Sequence, residues 1–583
     1  MSIHALTRFG TRIRPRTGIR LPAVLAAITA MLLLAGCTGL PTSGPPNAGL
    51  TIGEDEENVP FTPIAQGPEP GADPEQIVAG FLDASMTPAN SWEIARQFLT
   101  EEFSHTWQPE AGVAIDSSAF KRQFDASVDA DEEDATTAEV RVTLDQVASV
   151  SADGVYSAEK GTAKAPFRLV RAAGGEWRIA EARDGVTLDL DTFGQVYEKF
   201  ALQYFDPSWT HLVPDVRWFP RRPAMATSIV RTLISGQPSD WLAPAVRTAF
   251  SSDIDMVGDA VTVDAAQVAS VSLTRAALSA STTDLARMRT QLEQSLVGSG
   301  VTDVRLVVDG VPLEAGVVSL DEPIIDPGVL VLTGETFGTA AAGGEIAPIT
   351  GLTAQIAKIG EPIAAIDVST DALLASVQLR DGRVFAVSDG DSVGVDERGG
   401  LIAPTLDPFK LIWTVPARSP GEVRVSRADA APRTVAKAWP GAESISQMRV
   451  SSDGARVAAV VTSNGERRVE VASILRDADQ TPLELGPPHE VGRLIGPAQG
   501  LSWVGADTVA VLSAAPDAVL TMHVIGGPAA ESAAPDGAIS VAGAKTVTGL
   551  RVLASDGAVY AQRGSFWQES ISDVLVLGTR AGY

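Results

Sequence analysis

Two short stretches match patterns that elsewhere carry nucleophilic chemistry. Gly390-Asp391-Ser392-Val393-Gly394 has the spacing of a serine nucleophile elbow. An elbow works because the serine sits on a strained turn between a strand and a helix, with an amide from the helix start in the oxyanion hole. Here VDERGGLIAP follows, which reads as another turn and strand. No helix is expected to supply that amide, and the glycine pair reads as hairpin chemistry. Ser157-Ala158-Glu159-Lys160 has the S-x-x-K spacing, which needs both side chains on one helical turn. It falls between alternating strands, with neither S-D-N nor K-T-G after it. The sequence holds no Walker loop, dinucleotide fingerprint or zinc spacing. Beyond the first 36 residues the histidines are His105, His211, His489 and His523, none spaced to share a metal. The expectation is no catalytic residue, no metal and no cofactor.

One residue is placed for a different reaction. Cys37 is the single cysteine of 583 residues, within LLLAGCTGL. Upstream, Arg8, Arg12, Arg14, Arg16 and Arg20 form a basic arm, and the first acid of the chain is Glu54. Between arm and cysteine runs LPAVLAAITAMLLLA, an apolar stretch too short to span a bilayer comfortably. Basic arm, short apolar run and small residues together make a secretory signal. Its end, Leu34-Ala35-Gly36-Cys37, resembles the bacterial lipobox. That resemblance implies cleavage between Gly36 and Cys37, a diacylglyceryl group on the thiol and an acyl group on the new amine. At about 0.8 kcal/mol per buried methylene, two or three chains hold a protein on a membrane.

Composition narrows the rest. Losing residues 1–36 removes five arginines and moves the formal charge from −27 to −32. Such a surface disfavours nucleic acid and anionic lipid, so nucleic acid is excluded as a partner. With no second cysteine there is no disulfide framework, thiolate metal site or cysteine nucleophile. Length suggests three or four domains.

The elements that follow fall into blocks. Residues 37–72 are rich in Pro and Gly and carry Glu54-Asp55-Glu56-Glu57, the composition of a disordered tether reaching roughly 30–35 Å. A helix then starts at Asp73-Pro74-Glu75-Gln76, with Asp73 as N-cap and Gln76 closing a capping box. A second amphipathic stretch follows Ser91. After the acidic run Asp129–Asp134 the period becomes two, with Val140, Val142 and Leu144 alternating and turns at Asp153-Gly154 and Ala173-Gly174-Gly175. Helices followed by a meander that closes on GEWRI resemble an NTF2-like cone, so residues 73–192 are expected to be an α+β domain. Asp189-Leu190-Asp191 reads as a linker.

Residues 193–315 read as an α/β unit. Strands are expected at Tyr197–Phe205, Leu212–Trp218, Val261–Val263 and Val304–Val308. Helices are expected over Pro223–Ile234 and after a cap at Thr283 or Asp284. The phrases YFDPSWTHLVPDVRWFPR, SIVRTLISGQPSDWLAPAVRTAF and VRLVVDG resemble the GerMN (germane) domain of envelope and spore lipoproteins, a binding module without catalytic residues. Trp241, in a loop flanked by Ser and Pro, is the candidate interaction residue here; packing on the preceding helix is its plainer fate.

From residue 328 to 583 the chain is β-rich and faintly repetitive. IDVSTD at Ile366 is echoed by MRVSSDG at Met448 and LRVLASDG at Leu550, with variants at Leu411 and Leu501. Val368, Ile412, Val450, Trp503 and Leu553 lie on average about 46 residues apart, the period of a propeller blade. Five blades are readable, and Gly328–Gly351 can hold another.

The order lipobox, acidic tether, cone-like domain, germane domain and propeller resembles the actinobacterial LpqB lipoprotein family. That resemblance implies an accessory of the MtrAB two-component system, contacting the extracytoplasmic domain of its sensor kinase in envelope and division control. The residues by themselves support a multidomain, non-catalytic binding protein, lipid-anchored on the extracytoplasmic face of the cell membrane. The alternative is a propeller-based envelope enzyme or glycan-binding receptor.

Overall fold

A computed structural model describes residues 65–583, save 119–120, 129–134, 173, 223, 322–327, 342–343, 515–516 and 565. Gly36, Cys37, the acidic run at 54–57 and the loop at 129–134 therefore lie outside the described residues. The last stretch assigned to the tether is described, and it lies on the first domain: Ala65 and Ala72 pack on that domain's core, and the Gly71 N–H donates to Glu176 Oε2 at 2.9 Å.

The first helix is Pro74–Ala84, and its start is the expected capping box. Asp73 Oδ1 accepts from the Gln76 N–H at 2.8 Å, while Gln76 Oε1 accepts from the Asp73 N–H at 2.9 Å. Ile77, Val78, Phe81 and Leu82 are its buried stripe, with Phe81 set edge-on to Trp107 and Phe167. The stretch after Ser91 is not one helix. Asn90, Ser91 and Trp92 take left-handed φ of 48°, 56° and 60° and hold its start back to Glu93, and Leu99, bridged to Ile179, with the extended Thr100 divides it into Glu93–Arg96 and Glu101–Thr106.

These helices cover a six-stranded sheet in the order Trp177–Glu181, Tyr156–Arg171, Thr137–Ser151, Gly112–Asp116, Val186–Asp189, with Gln123–Val128 on the other half of Thr137–Ser151. The sheet does not end at GEWRI. Val186–Asp189 adds the last strand at the sheet's edge, parallel to Gly112–Asp116, and neither strand is long enough to show period two in the sequence. Asp189 is a helix cap rather than a linker: its carboxylate accepts from Thr192 N and Oγ1 and starts Leu190–Val196.

The second domain opens with the long antiparallel hairpin Tyr197–Phe205 and Leu212–Pro220. Helix Met225–Ser235 follows, then a sheet ordered Val311–Pro312, Asp303–Val308, Val268–Ser272, Thr262–Val263. Val268–Ser272, parallel to Asp303–Val308, was not expected: its VASVS is too short and too small to stand out. Helix Thr282–Ser295 is capped by Ser281, whose Oγ accepts from the Asp284 N–H, rather than by the expected Thr283 or Asp284.

The C-terminal region is a propeller, with six blades among the described residues. Blades 2 to 6 begin at Ile363, Thr405, Ser444, Ala498 and Ala538, each running outward from its innermost strand. Blade 1 is composite. Val329–Thr333, Phe337–Ala340 and Ile346–Pro348 come from its start, but its innermost strand is Val574–Leu577, antiparallel to Val329–Thr333. Thr579–Arg580 then pairs with Asp367–Val368 of blade 2, so the last ten residues close the ring across two blades. The repeated phrase is a turn motif. In blade 4, Ser451 Oγ donates to Asp453 Oδ1 and accepts from the Arg456 N–H, and in blade 2 Ser369 and Asp371 do the same work. Two of the five echoes were one strand out of phase. Those at Leu411 and Leu550 fall on second strands, whereas Val368, Val450 and Trp503 end innermost strands.

Candidate functional site

Strand Leu212–Pro220 is buried at every residue from Val213 onward. One face supplies Val213 and Phe219 to the core of the second domain; the other supplies Val216 and Trp218 to the core of the first. Such a strand has no solvent face, which explains why VPDVRWFP shows no polar alternation. The two charges within it are paired. Arg217 Nη2 donates to Asp215 Oδ2 at 2.7 Å, and both side chains are nearly inaccessible. A buried pair of this kind needs further partners to offset desolvation. Asp215 also accepts from Ser239 N and Ser239 Oγ, and Arg217 donates to Gln237 O and across to Asp153 O.

Trp218 touches all three domains. Its backbone N–H donates to Gly154 O at 2.9 Å in the first domain, and its Nε1 donates to Gly526 O at 2.8 Å in propeller blade 5. Its ring lies 4.7 Å from Phe193 and 6.4 Å from Tyr156. Gly154 has to be glycine: φ is +80°, and a Cβ would stand 2.8 Å from Trp218 O. Around this strand, Arg222 pairs with Glu110 of the first domain and Lys199 Nζ with Asp507 Oδ2 of blade 5 at 2.9 Å.

Trp241 belongs to the same seam. Its indole stacks on the His489 imidazole of blade 4, centroids 5.4 Å apart and planes 11° apart, and it is half-buried. Trp241 thus packs on the propeller as well as on the core of its own domain, which includes the preceding helix, and does not stand on a free surface. Burial holds His489 below its ordinary pKa, against the opposite pull of Asp215 and Glu490. Burial also pushes the Tyr156 hydroxyl up to about 12. A cleft of about 760 Å³ runs along the seam between Glu110, Tyr156, Arg217, Gln237, Trp241 and His489. A second chamber, about 690 Å³, lies where Gln203, His211 and Gln294 of the second domain face the far ends of the innermost strands.

The remaining sequence candidates fall elsewhere. Ser392 is exposed on the outermost strand of blade 2, just past the turn Asp389–Gly390, and the strand continues through it to Asp396. There is no strand-to-helix elbow there. Ser157 and Lys160 are exposed on one β-strand, with a register shift against Thr137–Ser151 between them, so the single helical turn that S-x-x-K needs is absent. His105 is exposed at the end of a short helix, and His211 sits edge-on to Phe409 of blade 3. Arg217, Trp218, Lys199 and Arg222 were not singled out from sequence. The available signal was an Asp-x-Arg inside an otherwise apolar strand, which is costly unless it is paired.

Three family models match in succession. "Lipoprotein LpqB, N-terminal domain" covers residues 67–194, "Sporulation and spore germination" covers 202–314, and "Lipoprotein LpqB beta-propeller domain" covers 339–574. The chain is similar to Lipoprotein LpqB of Nocardia farcinica, 28% identical over 550 residues and 87% of each chain. It is 26% identical to that of Thermobifida fusca over 605 residues, 91% of this chain and 93% of the relative. The Mycolicibacterium smegmatis protein is 28% identical over 542 residues, 85% and 87%. Among solved structures, the β-propeller domain of Myceliophthora Cps50 (Swd1) aligns at a TM-score of 0.25 and 8% identity, over 36% of this chain and 70% of that one.

Proposed function

The chain belongs to the LpqB lipoprotein family, and on that premise we propose that it is a lipid-anchored, non-catalytic accessory protein of the cell envelope. Cleavage after Gly36 leaves Cys37 as the acylated N-terminus on the extracytoplasmic face of the cell membrane. From there the protein engages the extracytoplasmic domain of a sensor histidine kinase of the MtrAB kind. The observation that carries this reading is the order of parts: a lipobox, then three matched domains that bring no catalytic constellation with them. The seam adds a mechanical reason. A strand whose two faces belong to two domains, with a tryptophan bonded to the third, presents the propeller as part of one body rather than as a bead on a string. A receptor role for the 690 Å³ chamber is the second reading, favoured by its place between domain and ring and its largely apolar lining.

Two measurements test the proposal. Cys37→Ser should abolish lipid labelling and leave uncleaved precursor; labelled, membrane-bound Cys37→Ser protein of mature size would refute the anchor. Full-length lipidated protein in nanodiscs should bind the purified kinase domain with micromolar affinity, which suffices for two partners confined to one membrane face. No binding at about a hundred micromolar, with normal kinase output in a strain lacking the protein, promotes the receptor reading.

A further inference from the structure

The two mouths of the propeller differ. The second domain meets the ring on turns that follow innermost or third strands: His211 against Phe409, Lys199 on Asp507, Trp218 on Gly526, and Ala455 packed into the second domain's own core. Those turns surround the mouth where the innermost strands end. The mouth where they begin is built from the turns before each innermost strand and those between second and third strands.

At that opening, blades 5, 6 and 1 carry exposed Asp517, Asp536, Asp556, Asp573 and Glu335, and the same turns contain no Lys or Arg. Among the described residues none of these five acids has an ion-pair partner. Three of them come from turns bonded to one another: Ser555 N–H donates to Gly537 O at 2.9 Å, and Val574 N–H to Gly557 O at 3.0 Å. Three residues beyond Asp536 and two beyond Asp573, the innermost strands expose Ile539 (44%) and Leu575 (58%). Apolar side chains this open on innermost strands contrast with Val576 and Val541 beside them, which are buried in the ring.

Resting on the proposed function above, we infer that this mouth is the surface that engages the partner protein, and that it takes a basic segment of that partner with an apolar side chain at its tip. Ile539 and Leu575 give the apolar tip a seat, and the rim of unpaired carboxylates selects flanking lysines or arginines by charge complementarity. The covered mouth offers no such choice, because the second domain already occupies it.

The test uses full-length lipidated protein in nanodiscs, titrated with the kinase's extracytoplasmic domain at low and high salt. The variants are D536N/D556N/D573N and L575S. Asn at 573 keeps a residue that tolerates the left-handed φ of 58° found there. All four positions are exposed, and unchanged melting confirms that the variants fold. Glu361→Gln, a carboxylate of blade 2 already paired with Arg383, is the control. Wild type should lose about tenfold in affinity between low and high salt. The triple variant should bind at least tenfold more weakly and lose that salt dependence. Leu575→Ser should bind several-fold more weakly with salt dependence intact, and Glu361→Gln should match wild type. A triple variant that binds like wild type overturns the mouth and leaves the kinase reading standing. If wild type does not bind the kinase domain, that reading fails separately, and a synthetic peptide of alternating lysine and leucine becomes the probe. Binding that the triple variant loses then supports the mouth; equal binding, or none, overturns it.

Discussion

The seam strand Leu212–Pro220 and the blade strand Arg456–Ser463 are both buried, yet they are held in opposite ways. The seam depends on a few large side chains with specific partners: Arg217 on Asp215, Gln237 and Asp153, Trp218 on Gly526, Trp241 on His489. After Arg456, whose buried guanidinium pairs with Asp453, the blade strand is Val457, Ala458, Ala459, Val460 and Val461, small or branched residues at 0–1% exposure. In the ring no single contact is decisive, because each blade leans on its neighbours. In the seam the buried contacts are. The ring's one singular element is its closure, where residues 574–580 complete blade 1 and reach blade 2.

The largest expected effect follows from that closure. Removing Val574–Tyr583 leaves Val329–Thr333 without its inner neighbour and opens blade 2 against solvent, exposing two unpaired strand edges. The truncated chain should be insoluble or should melt without a cooperative transition. A truncation that melts like the parent would show that the ring does not depend on closure.

Next comes the seam. Trp218→Ala removes an indole 9% exposed, its bond to Gly526 O and its contacts with Phe193 and Tyr156. A loss of about 3–5 kcal/mol is expected, the range for large-to-small core changes. The form of the loss is more telling. If Trp218 welds the domains, calorimetry should split one transition into two, with the propeller the later. Trp218→Phe keeps most of the packing and should cost about 1 kcal/mol, the net contribution of the hydrogen bond.

The same contrast explains what the sequence revealed. The capping box at Asp73 was legible because it is local: two side chains three residues apart meet two backbone amides. The propeller was legible because its Ser-Asp turn recurs, although a turn motif does not say which strand it follows, and two echoes were set on the wrong one. Strands such as Gly112–Asp116 and Val268–Ser272 were missed because each is short and paired in parallel with a distant segment. The seam was the hardest to read. Trp241 could be singled out, but its partner His489 lies 248 positions away, and no local pattern encodes that meeting. Cys37 is the reverse case, legible from its neighbours and lying outside the described residues.

A third experiment probes the ring between two blades. His523, on the third strand of blade 5, packs on Gly492 of blade 4, where a Cβ would lie 2.3 Å from the imidazole Cε1. Burial pushes its pKa down to about 4, against roughly 6.5 in an unfolded chain. The unfolded state therefore binds the proton first as pH falls. Stability is unaffected above about 6.5 and declines between about 6.5 and 4, by about 3 kcal/mol in full. His523→Met should flatten that part of the profile, read as melting temperature against pH. A wild type and variant with parallel profiles would mean that His523 is solvated in the ring.

The smallest effect should come from the charge that bridges the second domain and the propeller. Lys199 is 44% exposed and Asp507 24% exposed in their 2.9 Å pair. Burial raises the Asp507 pKa, but Lys199, with Thr508 and Arg456, outweighs it and leaves the carboxylate below its ordinary value. The pair therefore stabilises above the unfolded carboxylate pKa and is lost as pH falls through the lowered one. Half-exposed pairs are screened by solvent and contribute roughly 0–1 kcal/mol. Lys199→Ala should thus lower stability by less than about 1 kcal/mol at neutral pH, with the deficit shrinking in high salt. Both variants meet the same blade at adjoining points, Lys199 at Asp507 and Trp218 at Gly526, beside Ile525, whose N–H donates to Asp507 O. Were Lys199→Ala to cost as much as Trp218→Ala, the seam would be electrostatic, and the domains should then separate on raising salt alone. If only the tryptophan variant divides the transition, the weld is apolar and hydrogen-bonded, and the propeller stays fixed to its neighbour at any ionic strength of the envelope.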